Sequence, residues 1–327
     1  MTLPLQGAHW ARMGEAGVIL GLRVLLFAYR RFGRRPFRTL LLPVMVYFYL
    51  RRSVARRASQ EFLARLVGPA RFLARHGRSF RHFLAFGECA LDKLLAWSGE
   101  LPLDAVKMHG IEPLLAQIAG GQGVLLLLTH LGNPEVSRVL GKREAGLKMT
   151  VLIHTKHTVR FNRLLATLSP ESQVDLVQVT EVTAATAILL QERIARGEAV
   201  AIAADRVPVS ADPRVVRVPF LGAPASFPVG PFLLGNLLGC PAYLLVCLRC
   251  ADGYHLHVEP FALPPGLPRS RREALLTDAA ARFAARLEHY CRLAPFQWFN
   301  FYPFWARWTP PVRESRTVRP EPGAGAS

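Results

Sequence analysis

Through the middle and latter part of the chain, short apolar runs alternate with longer amphipathic ones. That alternation predicts strands followed by helices. The strand candidates are Val124–Thr129, Met149–His154, Asp175–Val179, Ala199–Ala204, Val215–Pro219, Ala242–Leu248 and His255–Phe261. Each is short, apolar and closed by glycine, proline or polar residues, as expected of strands buried in a sheet. Apolar positions spaced three and four apart predict helices over Pro134–Glu144, Val159–Leu168, Ala184–Arg196, Gly230–Leu238 and Arg271–Leu293, with Gly197 stopping the third. The expectation is an α/β fold: a single mainly parallel or mixed sheet flanked by helices on both faces.

Two uncharged stretches need separate treatment. Val218 to Leu248 is long enough to suggest a membrane span, but Pro219, Pro224, Pro228, Pro231 and Pro241 break it, as do four glycines. It reads as a loop, a short helix and a strand of the core. Near the amino terminus, Ala16–Tyr29 is interrupted by Arg23, and Thr39–Leu50 has twelve residues and contains Pro43. A spanning helix needs about 20 apolar residues, so these segments are expected to lie in an interface instead of crossing it. A buried helix with a solvated basic face is the alternative.

Charge sharpens that picture. The 327-residue chain carries a net charge of +18, and residues 1–87 hold sixteen arginines against only Glu15 and Glu61. Pairs such as Arg30-Arg31, Arg34-Arg35, Arg51-Arg52 and Arg56-Arg57 would attract anionic lipid, each charge adding about 1 kcal/mol, or nucleic acid by the same physics. Because these arginines flank apolar and aromatic runs, an anionic membrane surface is favoured over nucleic acid. The organisation expected is basic amphipathic, interfacial helices over 1–58, an α/β domain over 59–309 and a disordered tail over 310–327. No cleavable signal is apparent, and a hydrophobic content of 51% is ample for a large core.

Several chemistries are excluded by what the chain lacks. No G-x-S-x-G elbow and no phosphate-loop motif occur, and Gly120-Gly121-x-Gly123 precedes its strand, where a dinucleotide fingerprint would follow one. Cys247 and Cys250 form one C-x-x-C with no second pair, and His154 and His157 have no acidic or cysteine cluster beside them, so neither a metal nor a cofactor is expected. The five cysteines are otherwise isolated and fit a reducing, cytoplasmic compartment.

What remains is Leu128-Thr129-His130-Leu131-Gly132-Asn133-Pro134-Glu135, where an apolar strand ends at a histidine and a helix begins. Asn133 suits the helix cap and Pro134 its first turn. A histidine delivered to a sheet edge with a carboxylate in reach is a candidate general base, His130 acting and Glu135 orienting it. Backbone N–H groups at the helix start would help to stabilise negative charge. The plainer alternative makes His130 a hydrogen-bonding structural residue and Glu135 a complement to the helix dipole.

The His-x-x-x-x-Glu of His130 and Glu135 resembles the signature of the lysophospholipid acyltransferase superfamily, in its branch of bacterial lipid A biosynthesis (lauroyl/myristoyl) acyltransferases. Residues Val151 to Asn162 resemble a strand and Asn-containing segment of that branch. Asp205-Arg206 resembles its Asp-Gln, and Val218-Pro219-Phe220-Leu221-Gly222-Ala223-Pro224-Ala225 its V-P-F-F-G-x-x-A block. The resemblance runs from about residue 20 to residue 305. Arg206 in place of glutamine, and His154-Thr155-x-His157 in place of Arg-Pro, look more like a divergent subgroup of predicted acyltransferases found beside aryl-polyene, glycolipid or aminolipid genes.

The resemblance implies a membrane-associated acyltransferase on the cytoplasmic face of a bacterial inner membrane. It would move a fatty acyl group from an acyl thioester, on acyl carrier protein or coenzyme A, to a hydroxyl of a lipid or glycolipid acceptor, with no metal or cofactor. His130 would take the hydroxyl proton while Glu135 holds the imidazole. Arg206, and less directly Arg160, would meet an oxyanion or phosphate, Arg206 as an ordinary ion pair being the alternative. Asp205, Asn133, Phe220 and Gly222 complete the expected substrate site, with Phe227 and Phe232 beside Phe220 as acyl-groove lining or simple core. The aromatic segment from Trp298 to Trp308 would either dip into the interface or close the core. A non-catalytic basic protein that keeps the fold and binds membrane or nucleic acid is the alternative reading of the whole.

Overall fold

A computed structural model of the chain describes residues 27, 29–102, 106–153, 175–178, 184–208, 213–263, 268 and 270–306. Arg160, His154, His157, the helix expected over Val159–Leu168, the first 26 residues and the tail 310–327 lie outside them.

Three helices open the described chain: α1 (Arg34–Arg51), α2 (Ser53–Val67) and α3 (Phe72–Trp97). Then follow β1 (Lys107–His109), α4 (Glu112–Ala119), β2 (Val124–Gly132), α5 (Pro134–Ala145), β3 (Met149–Ile153), β4 (Asp175–Gln178), α6 (Ala184–Ala195) and β5 (Ala199–Ala203). The last part holds β6 (Val215–Phe220), β7 (Ala223–Pro228), α7 (Gly230–Leu238), β8 (Ala242–Cys250), β9 (Gly253–Pro260) and α8 (Arg272–Leu293).

Seven strands form one sheet in the order β1-β9-β8-β2-β5-β3-β4. The pairings β8–β2, β2–β5, β5–β3 and β3–β4 are parallel, β9 is antiparallel to β8, and β1 is parallel to β9. The sheet is therefore mixed, as the sequence predicts, with β2 at its centre. That position explains the unbroken apolar run of β2, whose Val124 to Leu127 are wholly buried because both faces are covered. Separate clusters cover them. Leu125 and Leu127 pack with Phe227, Phe232, Phe283 and Trp298, and Val124 and Leu126 with Phe37, Leu41, Met45 and Tyr49.

Two expectations are corrected by the fold. The segment after Val218 read as a loop contains β7, paired with β6 in a hairpin whose turn is Leu221-Gly222. Both turn residues have positive φ, at 49° and 77°, the conformation a tight two-residue hairpin demands. Gly222 therefore serves the turn, while the Leu221 N–H donates to Glu288 Oε2 at 2.6 Å. The boundary expected at residue 58 falls inside α2, and Phe62, Leu63 and Leu66 of that helix belong to the main core.

Helix α1 keeps Pro43 in its interior and buries Phe37, Leu41, Met45 and Tyr49, spaced four apart. Gly87 of α3 makes the close approach possible, since a Cβ there would lie 3.0 Å from Leu41. The opposite side leaves Leu40, Leu42, Val44, Val46, Tyr47 and Leu50 exposed. Among the described residues, no helix is long and apolar enough to cross a membrane.

Candidate active site

Strand β2 does not run evenly through its end. Leu128 pairs with Leu245 of β8, but the next pairing is Gly132 with Cys247, so four steps along β2 match two along β8. The extra residues bulge, which turns His130 out of the ladder. Thr129 Oγ1 accepts the Leu131 N–H at 3.2 Å inside the bulge. Gly132 closes it at φ 71°, where a Cβ would meet Cys247 O at 2.0 Å.

The carboxylate beside the histidine is Asp205, just beyond β5. Its Oδ1 lies 2.7 Å from His130 Nδ1, and its Oδ2 accepts the His130 backbone N–H at 2.7 Å. Trp298 Nε1–H donates to the same Oδ2 at 3.0 Å. An ionised carboxylate only accepts, so Nδ1 carries the ring hydrogen and Nε2 keeps its lone pair. The Asp205 side chain is fully buried, whereas that of His130 keeps 34% of its surface accessible. Burial alone would raise the Asp205 carboxyl, but His130 and the Arg206 cation hold it below its ordinary value. Burial and Arg206 push the imidazole below 6.5, against the pull of Asp205.

This arrangement corrects the role expected of Glu135. Its carboxylate lies 2.9 Å from Lys93 Nζ of α3 and 2.8 Å from Arg138 Nε. Burial opposes its ionisation, yet those two cations hold the carboxyl at about 2. The physical reason is helical geometry. Glu135 stands in the first turn of α5 with Arg138 three residues later, on the face that meets α3.

Helix-start N–H groups are also committed elsewhere. Gly132 N–H donates to Gln297 O, Asn133 N–H to Cys247 O, and Val136 N–H to Asn133 O. Asn133 Oδ1 accepts from Glu135 N at 3.3 Å, as a cap should, and Pro134 has no N–H. These N–H groups already have acceptors within the protein.

Arg206 follows Asp205 in the chain. It stands half-buried beside Asp205, which supports its charge against the lowering effect of burial. One guanidinium nitrogen donates to Phe299 O at 2.6 Å, and among the described residues Nε has no hydrogen-bond partner. Its guanidinium carbon sits 5.9 Å from the Tyr302 ring centroid.

The segment 297–300, seen in the sequence only as aromatic, floors the site. Leu131 bridges to Trp298 in antiparallel fashion, and Phe299 N–H donates to His130 O at 3.0 Å. Trp298 and Phe304 are buried, so this segment closes the core. Phe220 is wholly buried, stacked on Trp305 with centroids 5.8 Å apart and edge-on to Trp298, and so packs the core instead of lining a groove. Phe227 and Phe232 are equally enclosed.

A model of the bacterial lipid A biosynthesis acyltransferase family matches residues 91–307. No curated protein matches the chain.

Proposed function

The chain belongs to the bacterial lipid A biosynthesis acyltransferase family, and from that premise we propose that it transfers a fatty acyl group from an acyl thioester to a hydroxyl of a lipid or glycolipid acceptor, with His130 as general base. Membership supports acyltransferase activity on a lipid acceptor in general. The observation that carries the finer reading is the His130–Asp205 pair, which leaves Nε2 its lone pair on a side chain that is one-third accessible.

In this reading Nε2 takes the acceptor's hydroxyl proton as its oxygen attacks the thioester carbonyl. Asp205 fixes the tautomer and stabilises the imidazolium that forms, while Trp298 holds Asp205. The Arg206 guanidinium meets the oxyanion from a half-buried position, held by its bond to Phe299 O. Collapse of the tetrahedral intermediate expels the thiolate, which receives the proton from His130. The donor is acyl carrier protein or acyl-coenzyme A acting as co-substrate, and no metal or cofactor takes part. Glu135 acts at one remove, holding Lys93 and Arg138 beside the base.

The exposed apolar side of α1, next to Arg31, Arg35 and Arg51, supports an interfacial position on the cytoplasmic face of a bacterial inner membrane. Three other arginines are held in ion pairs: Arg30 with Glu100, Arg34 with Asp92 and Arg38 with Glu88. Co-sedimentation with anionic vesicles should weaken in Tyr47→Ser/Leu50→Ser. Undiminished binding removes α1 from that role.

The catalytic reading is tested by incorporation of labelled acyl chains from either thioester into membrane lipid. Wild type should transfer label and His130→Ala should not, with its fold checked by circular dichroism. Transfer by His130→Ala near the wild-type rate removes the base. Absence of transfer from the wild type with both donors points to a binding protein that keeps the fold.

A further inference from the structure

At the edge of the sheet far in sequence from His130, three histidines share one small patch. Strand β1 pairs with β9 in parallel register, His109 opposite His257 and Lys107 opposite His255. Along β9, Tyr254, Leu256 and Val258 point into the core, so His255 and His257 stand on the other face by the two-residue period of a strand. The His109 and His257 rings stack with centroids 4.7 Å apart, and the His255 ring is 5.1 Å from that of His109. His109 is exposed and the other two are half-buried, with ligand atoms all within 4.8 Å of one another.

The hydrogen positions follow from the neighbours. Asp252 Oδ1 lies 3.0 Å from His255 Nε2, and Lys107 Nζ holds Asp252 Oδ2 at 2.6 Å. A carboxylate accepts only, so His255 Nε2 carries the hydrogen and Nδ1 presents a lone pair. That lone pair faces His109 Nε2 at 3.3 Å, long for a good hydrogen bond. Two imidazole nitrogens each about 2.05 Å from a tetrahedral zinc ion lie about 3.3 Å apart. A histidine that donates its far N–H to a carboxylate is also the usual outer arrangement of a metal ligand. Glu259, the next residue on this face, is occupied by Arg286 and Tyr290 and does not serve the histidines.

We propose that His109, His255 and His257 bind one divalent transition-metal ion of the zinc type, with Asp252 orienting His255. Imidazole ligands select such ions over magnesium or calcium. The ion would clasp β1, a three-residue edge strand held on one side only, to β9. The overlapping set Cys250, Asp252 and His255 is a poorer alternative, because both Asp252 oxygens already have partners.

The test is calorimetric titration of the untagged, chelator-treated full chain with zinc chloride. One equivalent should bind with a Kd of about 1 µM or below. His109→Ala and His257→Ala should each weaken binding about 100-fold and Asp252→Asn about 10-fold, while Cys250→Ser leaves it unchanged. Zinc at a hundredfold excess over Kd should raise Tm by about 4 °C in the wild type and not in His109→Ala, an exposed site whose substitution spares the core. Absence of binding by the wild type, or binding by His109→Ala and His257→Ala as tight as the wild type's, overturns the proposal. Binding lost in Cys250→Ser and kept in His109→Ala assigns the ion to the other set and overturns it as well. None of these readouts depends on acyl transfer.

Discussion

Two carboxylates near the same strand end are held in opposite ways. Asp205 holds a partly exposed histidine: its oxygens take one ring N–H, one backbone N–H and one indole N–H, and the His130 side chain keeps 34% of its surface accessible. Glu135 sits between two permanent cations, Lys93 and Arg138. A carboxylate coupled to a titratable, partly exposed base can tune chemistry, whereas one clamped between fixed charges mainly holds a helix against its neighbour. Closeness in sequence favours Glu135, five residues from the histidine. The tertiary partner lies 75 residues away.

The sharpest way to break this contrast is to remove the base. His130→Ala should lower acyl transfer by about 1,000-fold or more, within the range for a positioned general base, with no loss of secondary structure. Asp205→Asn should follow with a loss of about 100-fold. It should also move the acidic limb of the rate profile to lower pH, because the Asp205 charge raises the His130 value.

The pH dependence separates the two carboxylates directly. The active form has neutral His130, whose value lies below 6.5, so the rate should fall about tenfold per pH unit once the pH is below that value. Glu135 has its folded value depressed to about 2 from 4.5. Its stabilising contribution is therefore fully present above 4.5 and lost only as the pH falls towards 2. The Tm difference between wild type and Glu135→Gln should stay constant from pH 8 to pH 5, whatever the transfer rate does over that range. A difference that shrinks in step with the rate would merge the two roles.

Smaller effects sharpen the contrast further. Glu135→Gln should destabilise the fold by about 2 kcal/mol, having removed the anion shared by two partly buried cations, and slow transfer by no more than about tenfold. Chemical denaturation and the labelled-acyl assay read the two numbers separately. Trp298→Phe removes one N–H from Asp205 and should reduce the rate about threefold, the scale of a single hydrogen bond's net worth. A larger rate loss in Glu135→Gln than in Asp205→Asn would reverse the assignment.

Much of the frame was legible in the sequence. Apolar runs with two covered faces marked β2, β3, β5 and β8, and the Gly230–Leu238 helix falls where its spacing put it. β7 was hidden because Pro224 and Pro228 mask a strand that belongs to a two-stranded hairpin, where missing N–H groups are tolerated. β1 was hidden because three exposed residues carry no periodic signal. At the site, His130 and the Asp205-Arg206 block could be read from the chain, but their pairing could not, since it is made by the β2–β5 register. Trp298 looked like any buried aromatic. Only the fold shows its indole N–H aimed at a buried carboxylate.

The central claim is that Asp205, and not Glu135, sets the protonation of the His130 ring. Nitrogen-15 NMR of the histidine-labelled protein measures this most directly, with the His130 signals identified by subtraction of the His130→Ala spectrum. The wild type should show a neutral ring at pH 7.5 with hydrogen on Nδ1 and a bare Nε2. Asp205→Asn should shift that pattern and lower the titration point, and Glu135→Gln should leave the tautomer in place. A His130 tautomer unchanged in Asp205→Asn and displaced in Glu135→Gln would contradict the account.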